Sequence, residues 1–390
     1  KQSIVFYYCK YCMEKQNKTE IAAAPISDER KLDVFYKVDI VVIGAGQAGL
    51  SAAYHLKREG IAPGKGFVVL DDEFGSGGAW QHRWDSLTLS NVNGINDLPG
   101  MSFSEAVNRD DKQLRANVAL PQYYEKYEKA FDLPVIRPVN VLNVTERNGR
   151  FLIHTNGLQF SARGIINATG TWKTPHCPKY PGWDKFKGRQ LHTGEYKNAD
   201  EFIGKEVIVV GGGISAVQLL GELCKVTKTT WVTRRPPDFR PYEFNPELGR
   251  EAVAMVEERV RKGLPPKSVV SVTGLPITPA IADMLKSGVL DRKPMFQEIT
   301  ENGVKWEDGT EMEADVIFWN TGFRHSLDHL DPLELKNEHG GIEMAGQLAT
   351  QVVKDPRIHL TGYGPSSSTI GANRAGRAAA KELIDYLKLK

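Results

Sequence analysis

Two short glycine-rich turns carry the residue types and spacings with the most chemical potential in this chain. The first reads Gly44-Ala45-Gly46-Gln47-Ala48-Gly49. In a GxGxxG turn the first glycine permits a tight bend, the second lets a pyrophosphate approach the backbone, and the third lets helix and strand pack closely. The second turn reads Gly211-Gly212-Gly213-Ile214-Ser215-Ala216. Alanine in its last slot still permits close packing. The two copies differ in the charge that follows them. Asp71-Asp72 stands roughly 20 residues beyond the first turn, where an acid accepts from a ribose hydroxyl and repels a 2′-phosphate. Arg234-Arg235 stands at the matching place after the second turn, where guanidinium forks match a 2′-phosphate in charge and shape. The first site therefore suits FAD and the second NADPH.

Both turns need a strand before them and a helix after them. Val38–Ile43 is a β-branched run entering the first turn, and Leu50–Glu59 has a helical pattern ended by Gly60. The next strand, Phe67–Leu70, ends at Asp71. In the second copy the strand is Val207–Val210, the helix Val217–Cys224, and the following strand Thr229–Thr233. A helix start offers free N–H groups and the positive end of its dipole to phosphates. Each copy closes on a buried-strand run stopping at Thr-Gly, namely Thr169-Gly170 and Thr321-Gly322. A last strand, 358–363, passes through Gly362 and a serine-rich turn to Thr369-Ile370, and a helix is expected from about Asn373 to Leu387. The start of that helix is positioned to face a flavin pyrimidine ring, although ordinary serine capping explains the same residues.

These elements predict an α/β protein with two Rossmann-like, three-layer, parallel-sheet dinucleotide-binding domains. Residues 1–37 form an N-terminal extension, 38–199 with 323–390 an FAD-binding domain, and 200–322 an NADPH-binding domain inserted between its halves. The 390 residues, 41% hydrophobic and 25% charged, suit a two-domain globular chain. A net charge of +2 gives no strong pull on nucleic acid or anionic lipid. No apolar run is long enough to span a bilayer. Four cysteines do not make a disulfide framework, which favours a cytoplasmic setting. Cys9 and Cys12 form a lone CxxC without a second ligand pair, so no metal site is expected.

The residues between the turns bring a more specific resemblance. Phe186-Lys187-Gly188-Arg189-Gln190-Leu191-His192-Thr193-Gly194-Glu195-Tyr196-Lys197 matches FxGxxxHxxxY, the pattern that identifies class B flavin-containing monooxygenases. Gly77-Gly78-Ala79-Trp80 resembles their GGxW segment near the flavin. The resemblance runs from about Val38 to Lys390 and extends to bacterial members linked to arsenic or metal resistance. It implies the glutathione-reductase type of fold, with FAD and NADPH as cofactors and dioxygen and a small molecule as substrates. In that chemistry NADPH reduces FAD, and a flavin C4a-hydroperoxide oxygenates a soft sulfur, nitrogen or metalloid nucleophile. Tyr196 stands where Baeyer–Villiger relatives carry tryptophan, which weakens a ketone-to-ester reading.

The resemblance further implies an asparagine beside the flavin, which falls on Asn91 in the segment Ser86-Leu87-Thr88-Leu89-Ser90-Asn91. Ser90 is the neighbouring choice of register, and a simple turn asparagine is the alternative. His82, Arg83 and Trp84 follow GGxW and are placed along the substrate path. His192 is expected to order the interdomain hinge rather than to act as a base. An NADPH-dependent flavoprotein reductase or oxidase without a stable oxygen adduct would share both nucleotide sites, and so would an idle sensor. A homodimer stays open.

Overall fold

The computed structural model describes residues 35–92, 94–107, 111–241, 246–266 and 274–390. Cys9, Cys12 and most of the expected extension lie outside these residues. Phe35–Lys37, expected to close that extension, instead forms an edge strand paired in parallel with Gln159–Ala162.

Two parallel sheets organise the chain. In the larger, the order is Met344–Ala345, Gln351–Val352, Ile358–Leu360, Gly164–Asn167, Ile40–Ile43, Phe67–Leu70 and Val135–Ile136. The last five are parallel, and only the first two join in an antiparallel sense. Ile40–Ile43, Phe67–Leu70 and Gly164–Asn167 are buried at every position. Helices and sheet cover both faces, which is why these segments read as unbroken apolar runs and do not alternate. The second sheet is parallel throughout, in the order Lys293–Pro294, Lys228–Thr233, Glu206–Val210, Val316–Trp319 and Arg189–His192. An antiparallel three-strand unit, Glu298–Ile299, Gly303–Lys305 and Glu311–Glu313, lies between Lys293–Pro294 and Val316–Trp319 in the chain.

The pairing of Arg189–His192 with Val316–Trp319 differs from the expected boundary at residue 200. Cys177, Tyr180, Trp183 and Phe186 also pack on the core of the second sheet. Residues 177–192 thus contribute to the second sheet or its core. A four-residue strand without β-branched residues gives no local sign of a partner more than a hundred positions away.

Both turn helices begin earlier than their apolar patterns suggest, at Gln47 and Ile214, because neither has a side-chain cap to mark its start. Gln47–Arg58 packs against the C-terminal helix Thr369–Leu387, whose N-cap Ser368 accepts from Gly371 N at 3.0 Å. The end of Phe67–Leu70 is fixed by a buried network. Asp71 Oδ1 accepts from Arg137 Nε at 3.1 Å, while the two terminal guanidinium nitrogens of Arg137 donate to Glu128 at 2.7 and 2.8 Å. Removing the cation strands one buried and one half-buried carboxylate. Arg137→Met should thus lower unfolding free energy by about 3 kcal/mol or more, read by urea denaturation. A loss under about 1 kcal/mol would show that solvent reaches the pair.

Candidate functional site: a dinucleotide cleft

The first turn has the shape that a bound diphosphate requires. Gly44 has φ +100°, and a Cβ there would stand 2.6 Å from Ala168 O. A Cβ on Gly49 would lie 1.8 Å from Gly44 O. At Gly46, in contrast, a Cβ would meet nothing within 4 Å. The outer glycines are thus demanded by the fold, whereas the middle one leaves open space at a helix start. The second turn repeats the design: Gly211, at φ +138°, would clash with Asn320 O at 2.2 Å, and Gly213 is open. Ala216 is buried and tolerated. Neither helix has an acidic residue in its first turn to compete with an anion.

Beside the first turn lies a cleft of about 740 Å³, within the range of small-molecule and cofactor sites. It brings together Gly44, Gly46, Gln47, Ala48, Asp71, Asp72, Gly78, Trp80, Thr169, Gly170, Ser215 and Gly362 from the expected set. Gly49 supports the turn from beneath. Gln47 is locked in place, since its Oε1 accepts from Tyr124 OH and its Nε2 donates to Asn373 Oδ1 at 2.9 Å. The cleft residues fit a dinucleotide: they supply an open glycine, a positive helix end and a second helix start at Ser366–Ser368.

Asp71 reaches the cleft but its carboxylate is already engaged. Oδ2 accepts from Ala45 N at 2.6 Å, and Oδ1 accepts from Glu73 N and Arg137. The acid thus clamps the glycine turn, and the freer carboxylates beside the cleft are Asp72 and Glu73. Lys173 Nζ bridges these two at 2.6 and 3.0 Å, and His82 Nε2 contacts Glu73 at 2.9 Å.

Other expected residues lie away from the cleft. Asn91 is exposed, with Oδ1 accepting from Thr88 N at 2.8 Å and Nδ2 donating to Ser86 O at 3.0 Å. Its amide closes a local turn, Ser90 faces Thr88, and neither residue lines the cleft. Thr321 donates to His176 O, and Gly322 O accepts from His192 Nε2 at 2.9 Å. Both belong to the crossing between sheets, because their strand is the second sheet's own. Ile370 is 56% exposed, and the cleft takes Ser366, Ser367, Ser368 and Ala372 instead. The side chain of Thr369 lies outside the described set. Gly211, Gly213, Ile214 and Ala216 form the second turn, of which only Ser215 touches the cleft. Arg234 and Arg235 stand exposed just past Lys228–Thr233 and have no ion-pair partner among the described residues.

His192 is buried, which holds its pKa below the usual imidazole range. Nδ1 accepts from Gly194 N and Nε2 faces Gly322 O, so the neutral ring braces the crossing. Tyr196 is equally structural. Its hydroxyl donates to Glu222 Oε2 at 2.8 Å, and Ser86 donates to the same oxygen at 2.6 Å, tying the segment after GGxW to the second domain.

Sequence reasoning missed Trp172, Lys173, Phe323, Ser326 and His329, all of which line the cleft. Trp172, two positions after Gly170, was the readable signal. His329 is held neutral by burial, which pushes its pKa down to about 4, and it contacts Asn167 Oδ1 at 2.7 Å. Asn167 in turn donates to Thr169, and Thr169 to Ser326 O, fixing the cleft floor. Among the described residues no cluster of His, Cys, Asp or Glu is arranged for a metal ion, and no helix is long and apolar enough to cross a membrane.

The profile of the pyridine nucleotide-disulphide oxidoreductase family matches residues 41–362. The structure is similar to a flavin-containing monooxygenase from Stenotrophomonas maltophilia, with 34% identity and a TM-score of 0.74 over 90% of this chain and 99% of that one. Among curated proteins it is 28% identical to the uncharacterized oxidoreductase CzcO of Bacillus subtilis, over 78% of this chain and 86% of CzcO. It is 27% identical to the indole-3-pyruvate monooxygenase YUCCA1 of Oryza sativa, over 74% of this chain and 77% of that one.

Proposed function

Because the chain belongs to the class B flavin-containing monooxygenases, within the wider pyridine nucleotide-disulphide oxidoreductase family, we propose that it uses NADPH and dioxygen to oxygenate a soft nucleophilic small molecule. The protein is an enzyme whose cofactors are FAD and NADPH. When bound, FAD supplies two-electron acceptance from NADPH and the use of dioxygen as the source of one transferred oxygen atom. Overall, NADPH, a proton, dioxygen and substrate give NADP⁺, water and oxygenated substrate.

The chain's own residues bind, orient and exclude water. The Gly46 turn and the start of Gln47–Arg58 receive the FAD pyrophosphate, with Asp72 on the ribose side. The residues from 38 to about 175 and from 323 to 390 act as the FAD domain, and the inserted sheet as the NADPH domain. Gly213 and Ser215 take the NADPH pyrophosphate, while Arg234 and Arg235 take its 2′-phosphate. Trp80, Trp172 and Phe323 wall the cleft against water. One observation supports this reading above the rest: two glycine turns of the same build are followed by opposite charges, carboxylates at 71–72 and arginines at 234–235.

The test is stoichiometry. Purified holoenzyme is supplied with NADPH, dioxygen and a panel of sulfides, amines and arsenicals, together with indole-3-pyruvate, the substrate named for the rice relative. A substrate that yields one oxygenated product per NADPH supports the reading. Oxidation of NADPH to NADP⁺ with one dioxygen reduced to hydrogen peroxide per NADPH, whatever the compound, would make the chain an oxidase.

A further inference from the structure

Among the described residues, Arg83 is the one cleft cation without a counter-charge. Lys173 is bridged to Asp72 and Glu73, and His82 sits against Glu73. The neighbouring acid, Asp85, is spent on Arg115 Nη1 at 3.4 Å and on Asn117 Nδ2 at 3.0 Å. Among the described residues the Arg83 side chain has no hydrogen-bond or ion-pair partner, and its Nε is buried with none. Burial alone pushes its pKa down to about 10, so it stays charged at neutral pH.

What holds the guanidinium is aromatic. Its Cζ lies 4.6 Å from the Trp172 ring centroid and 5.5 Å from that of Trp80. Trp172 is itself stacked on Phe323 at 4.9 Å, and Asn117 Nδ2 donates to Arg83 O at 2.9 Å, fixing the backbone. Cation–π contacts orient the group but leave its N–H donors unused. Leaving the buried Nε–H unmet is costly unless a ligand meets it, and the half-buried guanidinium lines the cleft where such a ligand would lie.

We propose that Arg83 is an oxyanion receiver that selects substrates carrying a carboxylate on an apolar or aromatic body. The inference rests on the monooxygenase reading for its site and deepens it by naming a substrate class. The phosphates of the nicotinamide coenzyme are the other source of the same chemistry, but the start of Ile214–Leu223 already provides for the pyrophosphate and Arg234-Arg235 for the 2′-phosphate. Trp80, Trp172 and Phe323 suit the apolar body, and the Arg83 fork suits a bidentate carboxylate.

The test uses FAD-loaded enzyme at equilibrium, without turnover. Perturbation of the flavin spectrum is titrated with (phenylthio)acetate, with its neutral amide, and with NADP⁺. Arg83→Met should weaken carboxylate binding by roughly tenfold or more, with amide and NADP⁺ binding unchanged. Arg83→Lys, which keeps the charge but not the fork, should fall between and guards against a folding defect. Loss confined to NADP⁺ would overturn the substrate assignment and give Arg83 to the coenzyme. Unchanged binding of all three in Arg83→Met, or wild-type enzyme that favours the amide, would also overturn it. Because these titrations need no oxygen chemistry, a failure of the stoichiometric test above would leave this result separately readable.

Discussion

Gly46→Val is expected to fold normally and to emerge from purification without FAD. The backbone at Gly46 has φ −79° and ψ −169°, a conformation any residue adopts. A Cβ there meets no protein atom within 4 Å, so the fold has no reason to reject valine. The branched side chain would instead occupy the open space in front of the helix start, where phosphate oxygens must come within hydrogen-bond distance of the backbone. Each charge-assisted contact is worth about 1.5–3 kcal/mol, so losing two or more would weaken binding by a factor on the order of 10² or greater. Flavin absorbance per protein and thermal melting read the two halves of the claim. Gly157→Ala serves as the control, since it too faces open space but lies away from the cleft. Full flavin content in Gly46→Val would remove the FAD pyrophosphate from this turn. A collapsed melting temperature would show instead that the fold itself needs glycine there.

The contrast between Gly46 and its neighbours marks how far the amino-acid sequence alone reaches into the site. Glycine spacing, the strand before it and the charge after it are local features, each within reach of a few residues, and they locate both turns. Asp71 is found by the same logic, but its use is not. Its partner Arg137 is 66 residues away, and nothing in the sequence announces that a buried arginine will claim the carboxylate. The pairing of Arg189–His192 with Val316–Trp319 is hidden for the same reason. Asn91 marks a different limit. A resemblance carries a residue type into a register, whereas the turn that the Asn91 amide closes with Ser86 and Thr88 belongs to the local backbone and is seen only in the structure. Arg83 lies at the limit of legibility. Its proximity to Trp80 is three residues of sequence, but the lack of an acid paired with it among the described residues is a property of the packed cleft. Unpaired charge becomes visible only when every competing partner has been placed.

On the proposed function, the arginine pair is what decides which nicotinamide coenzyme the second site accepts. Changing both Arg234 and Arg235 to alanine should lower kcat/KM for NADPH by at least about 100-fold, because two charge-assisted contacts of about 1.5–3 kcal/mol each are lost. The value for NADH should move by less than about threefold, since the lost contacts concern only the 2′-phosphate. Among the described residues the neighbouring cations are already engaged. Arg292 Nη1 is held by Thr233 O and Oγ1 at 3.0 and 3.1 Å, Arg240 is paired with Asp238, and Lys293 lies over Trp306. Because Arg234 and Arg235 are exposed, the wild-type preference should also shrink as salt is raised, in the manner of a screened surface charge. A preference unmoved by salt would require a desolvated phosphate pocket that these exposed side chains do not make. Equal loss for NADH and NADPH in the double variant would mean that the arginines hold the pyrophosphate or the fold, and the charge contrast between the two nucleotide turns would no longer distinguish their coenzymes.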